Sequence, residues 1–150
     1  MKRLNILLVA LAIAFSVNAQ WTDNPAVNTF IANCDSGAGE ILISNNIYPQ
    51  DTYIQWLYAA DNGWSPWIQR LNKDGVPQWD TEGIHITTPN LATWSPGYAL
   101  AAVEDGVVSM FRTGDAHHWA VKINEDGTFA WGEYGIMLFD GEGGGRSELL

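Results

Sequence analysis

The chain has 150 residues with 7 basic and 17 acidic side chains, a formal charge of −10, which excludes the basic footprint that nucleic acid and anionic membranes require. Neutral glycans, basic partners and Ca²⁺ stay compatible with such a surface. Apolar residues make up 47% of the chain, enough for a core burying about two-thirds of the extended surface, and the single cysteine, Cys34, excludes an internal disulfide.

Lys2 and Arg3 precede an apolar run from Leu4 to Val17, and Val17-Asn18-Ala19 has the small-residue pattern read by signal peptidase. The run is shorter than the roughly 20 residues of a spanning helix, and no cysteine directly follows it to carry a lipid. Residues 1–19 are therefore expected to be a cleaved signal peptide. The 131 remaining residues hold 5 basic and 17 acidic side chains, an acidic chain expected to be secreted, at the cell surface or in the periplasm. Cys34 reads as a small buried hydrophobe, with a reactive thiol or an intermolecular bridge as the alternatives.

Beyond the leader the chain is built from a stretch that occurs twice. Residues 71–86 read LNKDGVPQWDTEGIHI and residues 123–138 read INEDGTFAWGEYGIML, an ungapped match at an offset of 52. Asn72, Asp74-Gly75, Trp79 and Gly83-Ile84 align with Asn124, Asp126-Gly127, Trp131 and Gly135-Ile136. A period near 50 residues signals an array of supersecondary units. Residues 34–87 form the first module, with strands expected at Gly39–Ser44, Tyr53–Ala59 and Trp67–Leu71 and an outer edge from Val76–Trp79 and Ile84–Thr87. Asp61-Asn62-Gly63 and Lys73-Asp74-Gly75 supply its turns, where glycine takes positive φ without a Cβ clash. Residues 88–138 form the second, with strands at Tyr98–Val103, Val107–Phe111, His118–Ile123 and within Phe129–Leu138. Residues 139–150, from Gly141-Glu142-Gly143 to Glu148-Leu149-Leu150, echo the start of the first module and read as the beginning of a truncated third. Trp21 to Val27 is a weaker copy of the repeat's tail.

The pattern Ile68-Gln69-Arg70-Leu71, Asp74-Gly75 and Trp79 to Ile84, with its weaker copy Val121-Lys122-Ile123, Asp126-Gly127 and Trp131 to Ile136, resembles the exported β-propeller repeat proteins of Bacteroidetes. A looser likeness to the Asp-box of sialidase-type propellers rests on the spacing of Asp74 and Trp79. The resemblance implies an all-β chain of two four-stranded antiparallel units of propeller-blade type. It also implies that residues 20–33 supply a strand of the blade-tail type. Two blades leave the ring incomplete, since closure takes about four or more. It implies a non-catalytic binding or structural module, with a carbohydrate-active enzyme, or a fragment of one, as the alternative.

Trp79 and Trp131 are expected to plug the space between adjacent sheets, where a large ring gains most from burial. Trp56, Trp64, Trp67 and Trp94 are the candidates for an exposed aromatic ligand surface. His117 and His118 point to opposite sides of a strand and do not share a metal ion, so no metal site is assigned. Asn72 to Gly75 and Asn124 to Gly127 lack the EF-hand pattern. Their side chains are expected to bond the turn backbone, with room left for weak Ca²⁺ binding and no other cofactor. No Gly-x-Ser-x-Gly, His-Glu-x-x-His or phosphate loop is present. Asp51, Asp61, Glu104, Asp105 and Asp115 fall in turns where a glycosidase could place its acid and base, but no pair stands out and no catalytic residue is assigned. Two sheets cover each other on one face only, which predicts self-association or pairing with another propeller chain through the uncovered apolar faces.

Overall fold

The computed structural model describes residues 31–32, 38–46, 50–60, 63–86 and 98–139. They form two four-stranded antiparallel sheets, each a meander. The first contains β1 (Ala38–Asn45), β2 (Thr52–Ala60), β3 (Gly63–Leu71) and β4 (Ile84–His85). The second contains β5 (Ala99–Val103), β6 (Gly106–Arg112), β7 (His118–Asn124) and β8 (Ile136–Phe139). The two four-stranded units expected from the repeat are thus present. Trp21 to Phe30, Cys34, and residues 140–150 lie outside the described residues, as does Trp94.

Strand boundaries follow the alternation of side chains, with two departures. β3 begins four residues before the expected Trp67, because Gly63 already pairs with Ala60 and the register runs unbroken to Leu71 opposite Thr52. Pro66 is tolerated there because its nitrogen faces the β4 side, where the ladder ends: Ile86 N donates to Pro66 O at 2.9 Å just beyond the last paired residue, and the N–H that proline lacks leaves a bond unmade only at that end. The edge regions Val76–Trp79 and Phe129–Leu138 are less regular than expected. Each reduces to one isolated bridge, Leu71 with Pro77 and Ile123 with Phe129, followed after a turn by the short β4 or β8.

The repeated turns close as their sequence requires. Gly75 N donates to Asn72 O and Gly127 N to Asn124 O, each at 2.9 Å. Asn72 Oδ1 accepts from Asp74 N at 3.0 Å and Val76 N at 2.9 Å, so its side chain serves the backbone as expected. In the second copy Asp126 Oδ1 takes this role, accepting from Thr128 N at 3.0 Å. Bonds to Thr128 hold the Asp126 carboxyl below its ordinary range.

One core joins the sheets. Tyr53, Leu57, Ile68 and Ile86 of the first sheet pack against Tyr98, Val107, Phe111, Val121 and Ile123 of the second. Equivalent strands contribute opposite faces to this joint. β3 presents Ile68, whereas β7 presents Val121 and Ile123, whose counterparts at the offset of 52 are Gln69 and Leu71 on the other side of β3. Leu71 lies in a separate cluster with Ile54 and Trp56, against which Trp67, Ile31 and Ala32 pack. The second module therefore sits on the first in the same sense, front of one on back of the next. A two-fold sandwich would use the same face of both.

Candidate functional site

The feature that the repeated residues build is this joint, and Trp79 is its centre. Its half-buried indole lies against Tyr53 with ring centroids 5.9 Å apart and packs on the shared core. Its Nε1 donates to Glu125 O across the joint at 3.1 Å. A Cβ placed on Gly127 would lie 3.4 Å from Trp79 Cδ1, so the turn of the second module fits directly over the ring of the first. Gln69 fixes the indole's backbone: its Oε1 accepts from Trp79 N at 3.2 Å and its Nε2 donates to Asp80 O at 2.8 Å. The expected plug between sheets is thus formed by Trp79.

Beside it Arg70 ties three elements together. Its Nε donates to Asp51 Oδ2 at 2.7 Å, its Nη1 donates to Glu125 O at 2.6 Å, and Nη2 stands 3.7 Å from Glu125 Oε2. Asp51 is 3% exposed, so the guanidinium supplies the counter-charge that a buried carboxylate needs. Tyr53 lies in the same corner, and burial pushes its hydroxyl up to about 12. Farther along the joint the Ser109 hydroxyl donates to Gln55 Oε1, Ala102 N donates to Ser44 Oγ at 2.9 Å and Asn46 Nδ2 to Val103 O at 2.7 Å. These bonds bring one polar group from each sheet together at fixed positions and so set the sheets' offset as well as their contact.

Glycine is required where the repeat's tail turns back over its own sheet. Gly83, at φ +82°, would place a Cβ 2.7 Å from Ile68 O, and its counterpart Gly135, at φ +74°, would place one 2.1 Å from Ala120 O. Only a residue without a Cβ lets the Trp-x-x-x-Gly-apolar segment approach this closely, which gives that motif a packing origin.

The counterpart of Trp79 differs from expectation. Trp131 is 38% exposed because, among the described residues, no further sheet lies over it. Lys122 stands in the place of Arg70 and donates to Asp105 Oδ2 at 2.7 Å. That bond holds the Asp105 carboxyl below its ordinary range.

The proposed aromatic surface is largely not one. Trp56 is 4% exposed at the middle of β2, cross-strand from Trp67, and packs in the cluster with Ile54 and Leu71. It is corrected from surface to core, because β2 is an inner strand and Ile54, Leu71, Ile31 and Ala32 cover its face. Trp64 faces the joint and packs on its core. Trp67 is half-buried on the outer face of the first sheet, with Tyr58 at 6.4 Å and His85 at 5.0 Å between ring centroids. His85 also hydrogen-bonds the Ser65 hydroxyl, a neighbour that its position in the sequence did not reveal.

His117 and His118 separate as expected. His117 pairs with Asp115 at 2.9 Å, while His118 is buried, with Phe139 edge-on at 6.2 Å. Burial and the nearby Arg112 hold His118 below its ordinary pKa, and burial does the same to His85. Among the described residues no group of three His, Cys, Asp or Glu side chains could hold a metal ion. Of the turn carboxylates, Asp51 is bound to Arg70, Asp105 to Lys122 and Asp115 to His117, Glu104 is exposed, and Asp61 lies outside the described residues. Comparison with protein-family models, with curated proteins and with solved structures finds no match.

Proposed function

We propose that this chain is an exported, non-catalytic structural or binding module of the β-propeller repeat type, whose units act by stacking on one another. The observation that carries this reading is the same-sense joint, in which Trp79, Ile84 and Ile86 of one unit meet Tyr98, Leu100 and Ile123 of the next. Stacking front to back can be continued indefinitely or closed into a ring, as blades require, whereas a two-fold sandwich ends at two sheets. In the first copy the motif residues Asn72, Gly75, Trp79, Gly83 and Ile84 serve turn or joint geometry.

The test is a glycan-array and pull-down comparison alongside an assay for reducing-sugar release. Partner capture without product formation is expected. Sugar release abolished by substituting one turn carboxylate would overturn the reading in favour of a carbohydrate-active enzyme. A glycan signal lost in Trp67→Ala would assign the binding role to the Trp67, Tyr58 and His85 face. Mass spectrometry of the exported chain should find its N-terminus at Gln20, and an intact Met1 would remove the export claim.

A further inference from the structure

The outer faces of the two sheets are largely closed within one chain. Ile31 and Ala32 pack on Ile54, Trp56 and Leu71 of the first, and Met110, Ala120 and His118 at the centre of the second are 7%, 3% and 6% exposed. What stays open is an edge. β8 is hydrogen-bonded to β7 on one side and ends the second sheet on the other. All four of its residues, Ile136, Met137, Leu138 and Phe139, are exposed, at 44%, 46%, 48% and 53%. Alternation normally hides one side of such a strand; here neither side is hidden. The other edges of the described sheets differ. β4 is two residues long, with Ile84 packed on the core. β1 and β5 lie side by side, tied by the bonds from Ala102 N to Ser44 Oγ and from Asn46 Nδ2 to Val103 O. β8 carries neither the lysine nor the proline that soluble proteins commonly place on a bare edge, and no charged residue stands between Gly135 and Phe139.

The one irregularity of β8 makes the strand self-complementary. Ile136 pairs with Ala120 and Phe139 with His118, two residues apart on one side of β7, so β8 accommodates an extra residue at Leu138. Ile136 and Phe139 therefore face the same way although three positions separate them. A two-fold axis normal to the sheet sets Ile136 opposite Phe139 of a second copy and Met137 opposite Leu138. That register uses all four residues of each strand and keeps Ile136 and Phe139 on one side of the sheet.

We propose that β8 pairs edge to edge, antiparallel, with β8 of a second copy of this chain, so that two four-stranded sheets join into one. Backbone bonds between the two edges give the contact its direction, and the apolar cross-strand pairs give it its register. The contact is isologous and closes at two copies. An uncharged edge is a place where two acidic chains can meet without bringing like charges together, and added salt strengthens the pairing by screening the repulsion of the remainder. Four residues on each side make a small interface, in the weak class below about 1,200 Å², so the dimer belongs to high protein concentration. The pairing goes beyond the stacking of units and does not depend on its sense.

Sedimentation velocity of the purified chain over a concentration series reaching about 1 mM, at low and high salt, tests this directly. The parent is expected to pass from monomer to dimer, more readily at high salt. Met137→Lys sets two lysines beside each other at the axis and is expected to weaken dimerisation about tenfold or more, with urea unfolding little changed because residue 137 is exposed in the monomer. The register is read by cross-linking in a Cys34→Ala background. A mixture of Ile136→Cys and Phe139→Cys proteins is expected to form a disulfide-linked heterodimer on oxidation, and neither variant alone to cross-link efficiently, since only the 136–139 pair comes within the Cα separation of about 7 Å that a disulfide spans. A parent that stays monomeric throughout the series overturns the proposal. So does a Met137→Lys protein that associates as the parent does, or cross-linking as efficient in either single variant as in the mixture.

Discussion

Replacing Trp79 by alanine removes the ring that the second module covers, and the structure supplies the terms of its cost. Burial of a large aromatic is worth about 3–5 kcal/mol in such a truncation. The lower end applies because the indole is half-buried. The lost bond from Nε1 to Glu125 O, 3.1 Å long, is worth about 1 kcal/mol and falls largely within that figure. Trp79→Ala is therefore expected to lower stability by about 3 kcal/mol, a large share of the roughly 5–15 kcal/mol of an ordinary domain. Trp131→Ala offers the control, since the same residue of the same motif is 38% exposed and its loss should cost about 1 kcal/mol or less at protein concentrations where the chain is monomeric. Urea denaturation followed by far-ultraviolet circular dichroism reads both, with the slope checked for two-state behaviour. Equal losses for the two variants, or a Trp79→Ala protein as stable as the parent, would refute the assignment of Trp79 to the joint.

Three further outcomes follow from the same geometry. Arg70→Met should destabilise by about 3 kcal/mol or more, because it strands the buried Asp51 carboxylate, whereas Lys122→Met, which opens a pair whose Asp105 side chain is 65% exposed, should cost far less because solvent screens that pair; chemical denaturation compares them. Gly83→Ala and Gly135→Ala should both be severe, since the new Cβ meets backbone oxygen at 2.7 and 2.1 Å, while Gly132→Ala, with nothing within 4 Å at φ +81°, should cost only about 1 kcal/mol of backbone strain; thermal unfolding ranks the three. His85 and His118 are held below their ordinary pKa, so the unfolded chain takes up protons first as the pH falls past about 6.5. Their contribution to stability is complete above that pH and is lost as the pH falls through the lower folded values, and urea midpoints should drop between about pH 7 and pH 5, with a shallower drop in the His85→Gln, His118→Gln double variant.

The two sheets were legible because two signals agreed. Asn-x-Asp-Gly fixed the hairpins between β3 and the Pro77 bridge and between β7 and the Phe129 bridge, and the aromatic and β-branched runs fixed the strands flanking them. Trp79 as an inter-sheet plug was legible too, since a repeated Trp before Gly-Ile has no partner within its own short edge strand. The sense of stacking was not, because it depends on which side of β3 and β7 meets the neighbour, and alternation makes both sides apolar: Ile68 on one, Leu71 on the other. For the same reason Trp56 was misplaced. Its strand was expected, but whether its face was covered depended on Leu71, Ile54 and the chain at Ile31 and Ala32, which sequence spacing does not connect to it. Trp131 shows the converse: the same motif residue is more exposed than Trp79 because, among the described residues, no neighbouring sheet covers it. The Arg70, Asp51 and Glu125 corner was also invisible, since its members are far apart in the chain and its module-two counterpart, Lys122 with Asp105, does not align by residue type.

The claim that one module seats its turn over the tryptophan of the other is tested most directly by nuclear Overhauser contacts from the Trp79 indole in solution. The account predicts cross-peaks from the Trp79 Nε1 proton to Gly127 and to the neighbouring residues of its turn, together with slower solvent exchange than the Trp131 indole proton shows. An indole proton at Trp79 that exchanges as fast as that of Trp131, with no contact to Gly127 or Glu125, would contradict it.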